Sequence, residues 1–208
     1  MTENPSARTF LQSLEAMAQE AAPDGFSLHQ IMDRLDERAF GAALFLLALP
    51  CAIPFLYLVP QIVALPMMAL TLQMLAGREE PWLPEKFGQR KIDKAGLTRM
   101  ATFGRKWFGW LEHISHPRLS WLTGSKAERL VAVFLTVFCA SILIPLPSTN
   151  TMPGIGVAIA AFGLMSRDGI LVILGLIIGS IWISLLVLAA MFGFDAATDL
   201  IRQIIASL

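Results

Sequence analysis

From Ala39 to Ala76 the chain runs 38 residues without a charged side chain, and this run limits the fold more than any other feature. As one helix it would extend about 57 Å, nearly twice the roughly 30 Å hydrocarbon thickness of a bilayer. Pro50, Pro54, Pro60 and Pro66 fall inside it. Each removes a backbone donor and crowds the preceding turn. The spacing predicts a break over Pro54–Pro60 with helical arms at 39–53 and 61–76, each about 22–24 Å long and short of a full crossing.

The plan recurs. Leu130 to Ser166 is again free of charge and is interrupted by Pro145, Pro147 and Pro153, which leaves arms at 130–144 and 154–165. Gly169 to Phe194 differs, with 26 residues that include neither proline nor charge. That length suits an ordinary, slightly tilted transmembrane helix. Composition agrees: 55% of residues are hydrophobic, 15% are charged, and the mean hydropathy is +0.62. Soluble domains carry roughly 45–50% apolar and about 25% charged residues. The expected class is an all-α integral membrane protein forming a single membrane domain over 1–208. It has two Pro-broken helical hairpins short enough to be re-entrant, one terminal transmembrane helix at 169–194, and peripheral amphipathic helices.

Those peripheral helices fall at 9–36 and 91–115. Phe10, Leu11, Leu14, Met17 and Ala21 lie at helical spacing, Pro23-Asp24-Gly25 ends that stretch, and Ser27 with Gln30 forms a capping-box pattern for a second helix. In 91–115, Ile92, Met100, Phe103, Trp107, Trp110, Leu111 and Ile114 share one side, with Lys94, Arg105 and Lys106 on others. This is the pattern of a helix lying at headgroup depth. The 16 basic and 16 acidic residues cancel, but Arg78 to Arg129 holds eleven Lys or Arg against six Asp or Glu. That local excess predicts a cytoplasmic loop over 78–129. No soluble basic module is present, so nucleic acid is not an expected partner. The N-terminal stretch lacks a basic segment followed by an apolar one, so no cleavable signal is expected. Cys51 and Cys139 sit in apolar runs and read as small buried side chains.

Shifting the sequence by 91 residues superimposes Glu37-Arg38 on Glu128-Arg129, Ile53-Pro54 on Ile144-Pro145, and Met74 on Met165. A two-residue slip pairs Pro60 and Ile62 with Pro153 and Ile155. The expectation is a duplicated unit at approximately 37–76 and 128–166.

Several segments together carry a resemblance to a known family. They are Glu37-Arg38-Ala39-Phe40-Gly41, the Pro50-rich break, Pro81-Trp82-Leu83-Pro84 after Gly77-Arg78, and Trp121-Leu122-Thr123-Gly124 before Glu128-Arg129-Leu130. Ile144-Pro145-Leu146-Pro147 through Asn150 and Pro153, then Ser166-Arg167-Asp168-Gly169, complete the set. From about residue 9 to 192 the chain resembles the ExoD family of bacterial exopolysaccharide-synthesis proteins. The resemblance implies a multi-pass protein of the bacterial inner membrane linked to exopolysaccharide production. It implies no particular reaction.

The residues offer a few sites. Ser148, Thr149, Asn150 and Thr151 bring side-chain hydrogen-bonding groups to the second break, beside prolines that free backbone carbonyls. Irregular backbone of this kind forms substrate and ion sites in transporters, and it also forms plain polar turns. Glu37-Arg38, Glu128-Arg129 and Arg167-Asp168 stand at the ends of apolar runs, as anchors, inter-repeat ion pairs or gating groups. Pro50, Pro54, Pro60, Pro145, Pro147 and Pro153 are the expected hairpin breaks. Gly175 and Gly179 form a small-xxx-small face for close helix packing, within the chain or across a homodimer. Enzyme signatures such as a Walker loop or a nucleophile elbow are missing. Glu112, His113 and His116 precede a helix-ending proline and read as solvated, so neither a metal nor another cofactor is expected. The preferred function is a non-enzymatic, transporter- or channel-like component of exopolysaccharide synthesis or export, with its site between the hairpin tips. The alternative is a scaffold or regulator that binds other membrane proteins of a polysaccharide-assembly complex. Membrane lipids are expected partners in either case.

Overall fold

The computed structural model describes residues 10–54, 56, 58–144 and 150–206. Ser148, Thr149, Pro145 and Pro147 therefore lie outside the described residues, as does the side chain of Glu37. The described chain is mostly helical: α1 Phe10–Glu20, α2 Leu28–Leu35, α3 Ala39–Cys51, α4 Val59–Leu75, α5 Glu85–Gly88, α6 Lys94–Ile114, α7 Ser125–Leu143, α8 Thr151–Ser166 and α9 Gly169–Ala206. A two-residue antiparallel pair, β1 Phe26–Ser27 with β2 Lys91–Ile92, joins the N-terminal segment to the central one.

Proline chemistry decides where the long apolar runs bend. Pro60 is the second residue of α4 and Pro153 the third of α8, in a first turn whose N–H groups have no partner inside the helix. Pro54 lies in the turn beyond α3. Pro50 does not mark a break. It sits in the last turn of α3, which continues to Cys51, so its missing N–H removes one bond from a helix already ending. Pro66 likewise stays inside α4.

The four short apolar helices form a ring in which α3 packs on α4 and α8, and α7 packs on α4 and α8. Small residues set the spacing. A β-carbon at Gly41 would strike the backbone of Ala161 and Met165 on α8, and one at Gly154 would strike Cys51 at the end of α3. These two contacts make α3 and α8 antiparallel. Leu44, Ala48, Met67, Leu135, Phe138, Cys139 and Ile142 fill the interior almost without exposure. The starts of α3 and α7 and the ends of α4 and α8 share one end of the ring, rich in charge. The ends of α3 and α7 and the starts of α4 and α8 share the other.

Helix α9 lies against α8 and α7 over its first half. Gly175 meets Ala160 and the carbonyl of Gly156, while Gly179 meets the Phe138 ring. Gly169–Gly193 is the helix segment among the described residues long and apolar enough to cross a membrane, and only 17% of its most apolar window is buried in the protein. Close contact between small residues holds this helix to α8.

The peripheral layer is amphipathic. Helix α1 packs on α6, where Arg105 donates to both carboxylate oxygens of Glu15 and Lys94 donates to the Gln19 carbonyl at 3.2 Å. Phe108 attaches α6 to the ring through an edge-on contact with Phe45, centroids 5.0 Å apart, and Phe45 also meets Phe162 at 5.5 Å. Ser27 caps α2 in a full capping box with Gln30. Lys91 donates to Asp24 at 2.6 Å beside the β pair, and this contact holds the Asp24 carboxyl below the usual 3.8.

The α8–α9 contact generates a paired test. Gly175→Ala should destabilise the detergent-solubilised protein by about 1–3 kcal/mol through overpacking. Gly193, with nothing within 4 Å of its β-carbon position, should tolerate alanine without loss. Thermal unfolding followed by circular dichroism reads both.

Candidate functional site

Two places combine polar groups with irregular backbone. The first is where the hairpins meet at the low-charge end. Asn150 is 7% exposed and immediately precedes α8, its carbonyl accepting from Gly154 N–H at 3.0 Å. Thr151 is half-buried as the first residue of that helix. Gly154 brings this helix start against the backbone of Cys51, so the N-terminus of α8 abuts the end of α3. The Cys51 thiol is 3.9 Å from the Pro60 carbonyl and 4.0 Å from the Met67 sulfur. A polar amide at the junction of two hairpins, next to a helix N-terminus, is suited to a ligand carrying acceptors. Around it the exposed neighbours are apolar: Ile53, Leu58, Ile62, Ile144 and Met152.

The second place is a polar cavity of about 370 Å³ at the charged end. Asp36, Met74, Gly77, Arg78, Glu79, Thr123, Gly124, Glu128 and Arg129 line it. The local backbone explains how they gather. Helix α4 ends with Gly77 at φ +79°, its N–H bonded to Met74 O (2.9 Å) and the Arg78 N–H bonded to Gln73 O (3.1 Å). This is the paired hydrogen-bond cap that a left-handed residue permits, and glycine adopts it without a side-chain clash. The missing β-carbon also makes room for the Arg129 guanidinium, which a side chain at 77 would strike. The Gln73 side chain then clamps the backbone of Trp82, accepting its N–H at 2.6 Å and donating to its carbonyl at 3.3 Å. That clamp fixes the segment carrying Arg78 and Glu79.

Helix α8 ends with the same pattern. Arg167 has φ +56°, its N–H bonds Leu164 O at 3.2 Å, and Asp168 N–H bonds Gly163 O at 2.8 Å. Asp168 is 3% exposed, and its carboxylate accepts from the backbone N–H of Ile170 (3.0 Å) and of His116 (3.1 Å). It thus caps α9 and ties down the 115–119 segment, whose Arg118 carbonyl accepts from Gly169 N–H at 2.8 Å.

Among the charged residues singled out from sequence, Glu128 and Arg129 line the polar cavity, Arg38 is half-buried at the start of α3, and Asp168 is a structural cap. Gly175 and Gly179 face α8 and Phe138 inside the chain. Sequence reasoning missed Asp36, Arg78, Glu79 and Thr123 as cavity residues. The available signal was Gly77-Arg78 at the end of an apolar run, the pattern of a capped helix terminus. Among the described residues no cluster of three or more His, Cys, Asp or Glu gathers as a metal site.

Together these features define a class: a mostly helical protein with a ring of apolar helices, one long apolar helix and a polar cavity at the charged end. A family model described as "Exopolysaccharide synthesis, ExoD" matches residues 10–188. The chain belongs to the ExoD family, and with it to exopolysaccharide synthesis. It is 31% identical over 172 residues to an uncharacterized protein, slr1875, of Synechocystis sp., covering 81% of this chain and 80% of that one. It is 27% identical over 178 residues to Protein ExoD of Rhizobium meliloti, covering 80% of this chain and 71% of that protein. No solved structure matches the chain.

Asp168→Ala removes a buried helix cap and leaves two backbone N–H groups without their acceptor. Loss of an N-cap costs about 0.5–2 kcal/mol, so a clear drop in midpoint temperature is expected by thermal unfolding in detergent. Asp168→Asn, which keeps an acceptor oxygen, should lose less.

Proposed function

We propose that the protein works in exopolysaccharide synthesis as a non-catalytic, multi-pass component of the bacterial inner membrane. In this reading the two hairpins, repeats 37–76 and 128–166, enter the bilayer from the charged end and frame a transporter- or channel-like path between their tips. The observation that carries it is the junction of the hairpins, where buried Asn150 stands at the start of α8 beside the end of α3. An amide there brings both a donor and an acceptor to the place where the two helix ends meet.

Helix lengths support the membrane placement. Helices α3 and α8 have 13 and 16 residues, which is about 20 and 24 Å. Gly169–Gly193, starting from the same end, has 25 residues and reaches about 37 Å. Helices α3 and α8 therefore end well short of the far limit of the apolar span, which fits re-entrant insertion, whereas α7, with 19 residues, reaches about 28 Å. Leu46, Ile62, Leu65, Val133, Val137, Ile177 and Leu185 are exposed around the body, an apolar belt suited to contact with lipid. The packing partners also exchange correctly under duplication: α3 on α8 becomes α7 on α4. The shared cap at Gly77 and Arg167 adds to this, offset by 90 residues where the sequence match had 91.

The scaffold reading has its own support in α6. Phe103, Trp107 and Trp110 are more than half exposed on this helix and suit either headgroup anchoring or a membrane partner. The Gly175–Gly179 face, already filled by α8 and Phe138, is unsuited to a homodimer contact.

Asn150→Leu decides between the two. In a strain lacking the gene and complemented with this variant at equal membrane levels, exopolysaccharide output should fall at least fivefold. Normal output would remove the tip as a working site and favour the scaffold, for which Trp107→Ala with Trp110→Ala should then be the damaging change. The topology has a separate test. The positive excess of 78–129 supports a cytoplasmic charged end in this reading, so a phosphatase fused after Ala206 should be active and one fused at Arg90 inactive.

A further inference from the structure

We propose that the cavity at the charged end binds a phosphate ester, with Arg78 and Arg129 holding the phosphoryl oxygens while Asp36, Glu79 and Glu128 accept hydrogen bonds from hydroxyl or ammonium groups on the rest of the ligand. The inference stands on this cavity and goes beyond the pathway reading. The site is at the opposite end of the ring from Asn150.

The lining sets the ligand chemistry. Two guanidinium groups and three carboxylates face one space of about 370 Å³, within the roughly 300–1,000 Å³ range of small-molecule sites. A bare anion would meet three carboxylates, and a bare cation two guanidinium groups. A ligand that carries an anionic head with donors beside it satisfies both sets. Guanidinium groups bind phosphoryl oxygens through paired, charge-assisted hydrogen bonds, and carboxylates accept from sugar hydroxyls or a primary ammonium.

The guanidinium groups are available for this work. Arg34–Glu20, Lys91–Asp24 and Arg105–Glu15 form ion pairs in the peripheral layer. Arg78 and Arg129 are in none of them. Arg129 lies on the left-handed Gly77 at the C-terminus of α4. The negative end of the helix dipole favours a cation there, and the short approach holds it at the cavity wall. The Gln73 clamp on Trp82 fixes the other side of the same wall. Thr123, buried to 9% exposure at the end of the 3₁₀ turn before α7, lines the cavity together with Gly124.

Such an ester has two sources at a membrane boundary: a soluble sugar phosphate or a lipid headgroup. Full-length protein in a neutral polyoxyethylene detergent should be titrated calorimetrically with glucose 1-phosphate and with inorganic phosphate. In parallel, nanodiscs mixed from phosphatidylethanolamine and phosphatidylcholine should be extracted and the co-purified lipid counted by native mass spectrometry. The expected result is a tenfold or greater preference in one arm, for glucose 1-phosphate over phosphate or for phosphatidylethanolamine over phosphatidylcholine. The arm that shows it names the source. Arg129→Gln should reduce that preference to less than threefold, and so should Arg78→Gln, an exposed change beyond the helix end that keeps the fold testable if the first variant misfolds. Size-exclusion profile and circular dichroism verify folding. No preference in either arm overturns the proposal, and so does a preference that survives substitution in every variant that folds. Both readouts are binding, so failure here leaves the exopolysaccharide reading standing.

Discussion

Everything in this structure depends on how closely helix backbones can approach without side chains between them. For helices in a bilayer, burying leucine against leucine would bring little, because a fatty acyl chain is equally apolar. What remains is contact at short range, and glycine supplies it. Gly41 puts α3 on α8, Gly154 puts the start of α8 on the end of α3, and Gly156 with Gly175 puts α9 on α8. Three helix contacts share α8, which is why that helix is buried along most of its length while α9 is exposed from Val187 to Gly193. A central helix rich in Gly and Ala thus organises neighbours that carry the bulky residues.

The charged end works under a different rule. Helix ends leave carbonyls without partners, and a charge-rich boundary is where they can be satisfied. Gly77 and Arg167 turn left-handed to cap α4 and α8, and Asp168 then reverses the chain into α9 with its carboxylate on two backbone amides. These local solutions have a shared consequence. They bring the start of α7 beside the end of α4, and so gather guanidinium and carboxylate groups from segments about fifty residues apart around one cavity. Peripheral helices α1 and α6 add a third layer, fixed by a bidentate Arg105–Glu15 contact and by the Phe108 ring against Phe45. Trp107 and Trp110 of α6 are exposed on the outer side of this layer.

How much of this could be read from the chain varies with the range of the interaction. Charge-free runs and prolines gave the number and approximate limits of the apolar helices, because a proline's lost N–H acts on its own turn. Ser27 and Gln30 announced the capping box for the same reason. Pro50 and Pro66 were less legible: a proline near a helix end costs little, and one inside a packed helix can be carried by its neighbours. The two-residue β pair was invisible, since Phe26 and Ile92 are distant in sequence and neither sits in an extended alternating stretch. The site divided similarly. Glu128 and Arg129 stood out as charges beside an apolar run, whereas Arg78 and Glu79 looked like ordinary loop residues until Gln73 and Gly77 were seen to aim that loop inward.

The sequence by itself determined the class of molecule: its long uncharged runs demand helices, its prolines demand that those helices be short, and its final unbroken run provides one span long enough for a bilayer. These follow from covalent geometry and hydropathy, which act locally. Only the tertiary structure decided which helix faces meet, that Gly175 and Gly179 serve contacts inside the chain, and that a polar cavity opens at the charged end. Those outcomes depend on side-chain shape across segments far apart in the chain, and no local pattern encodes a distance between helices that have yet to pack.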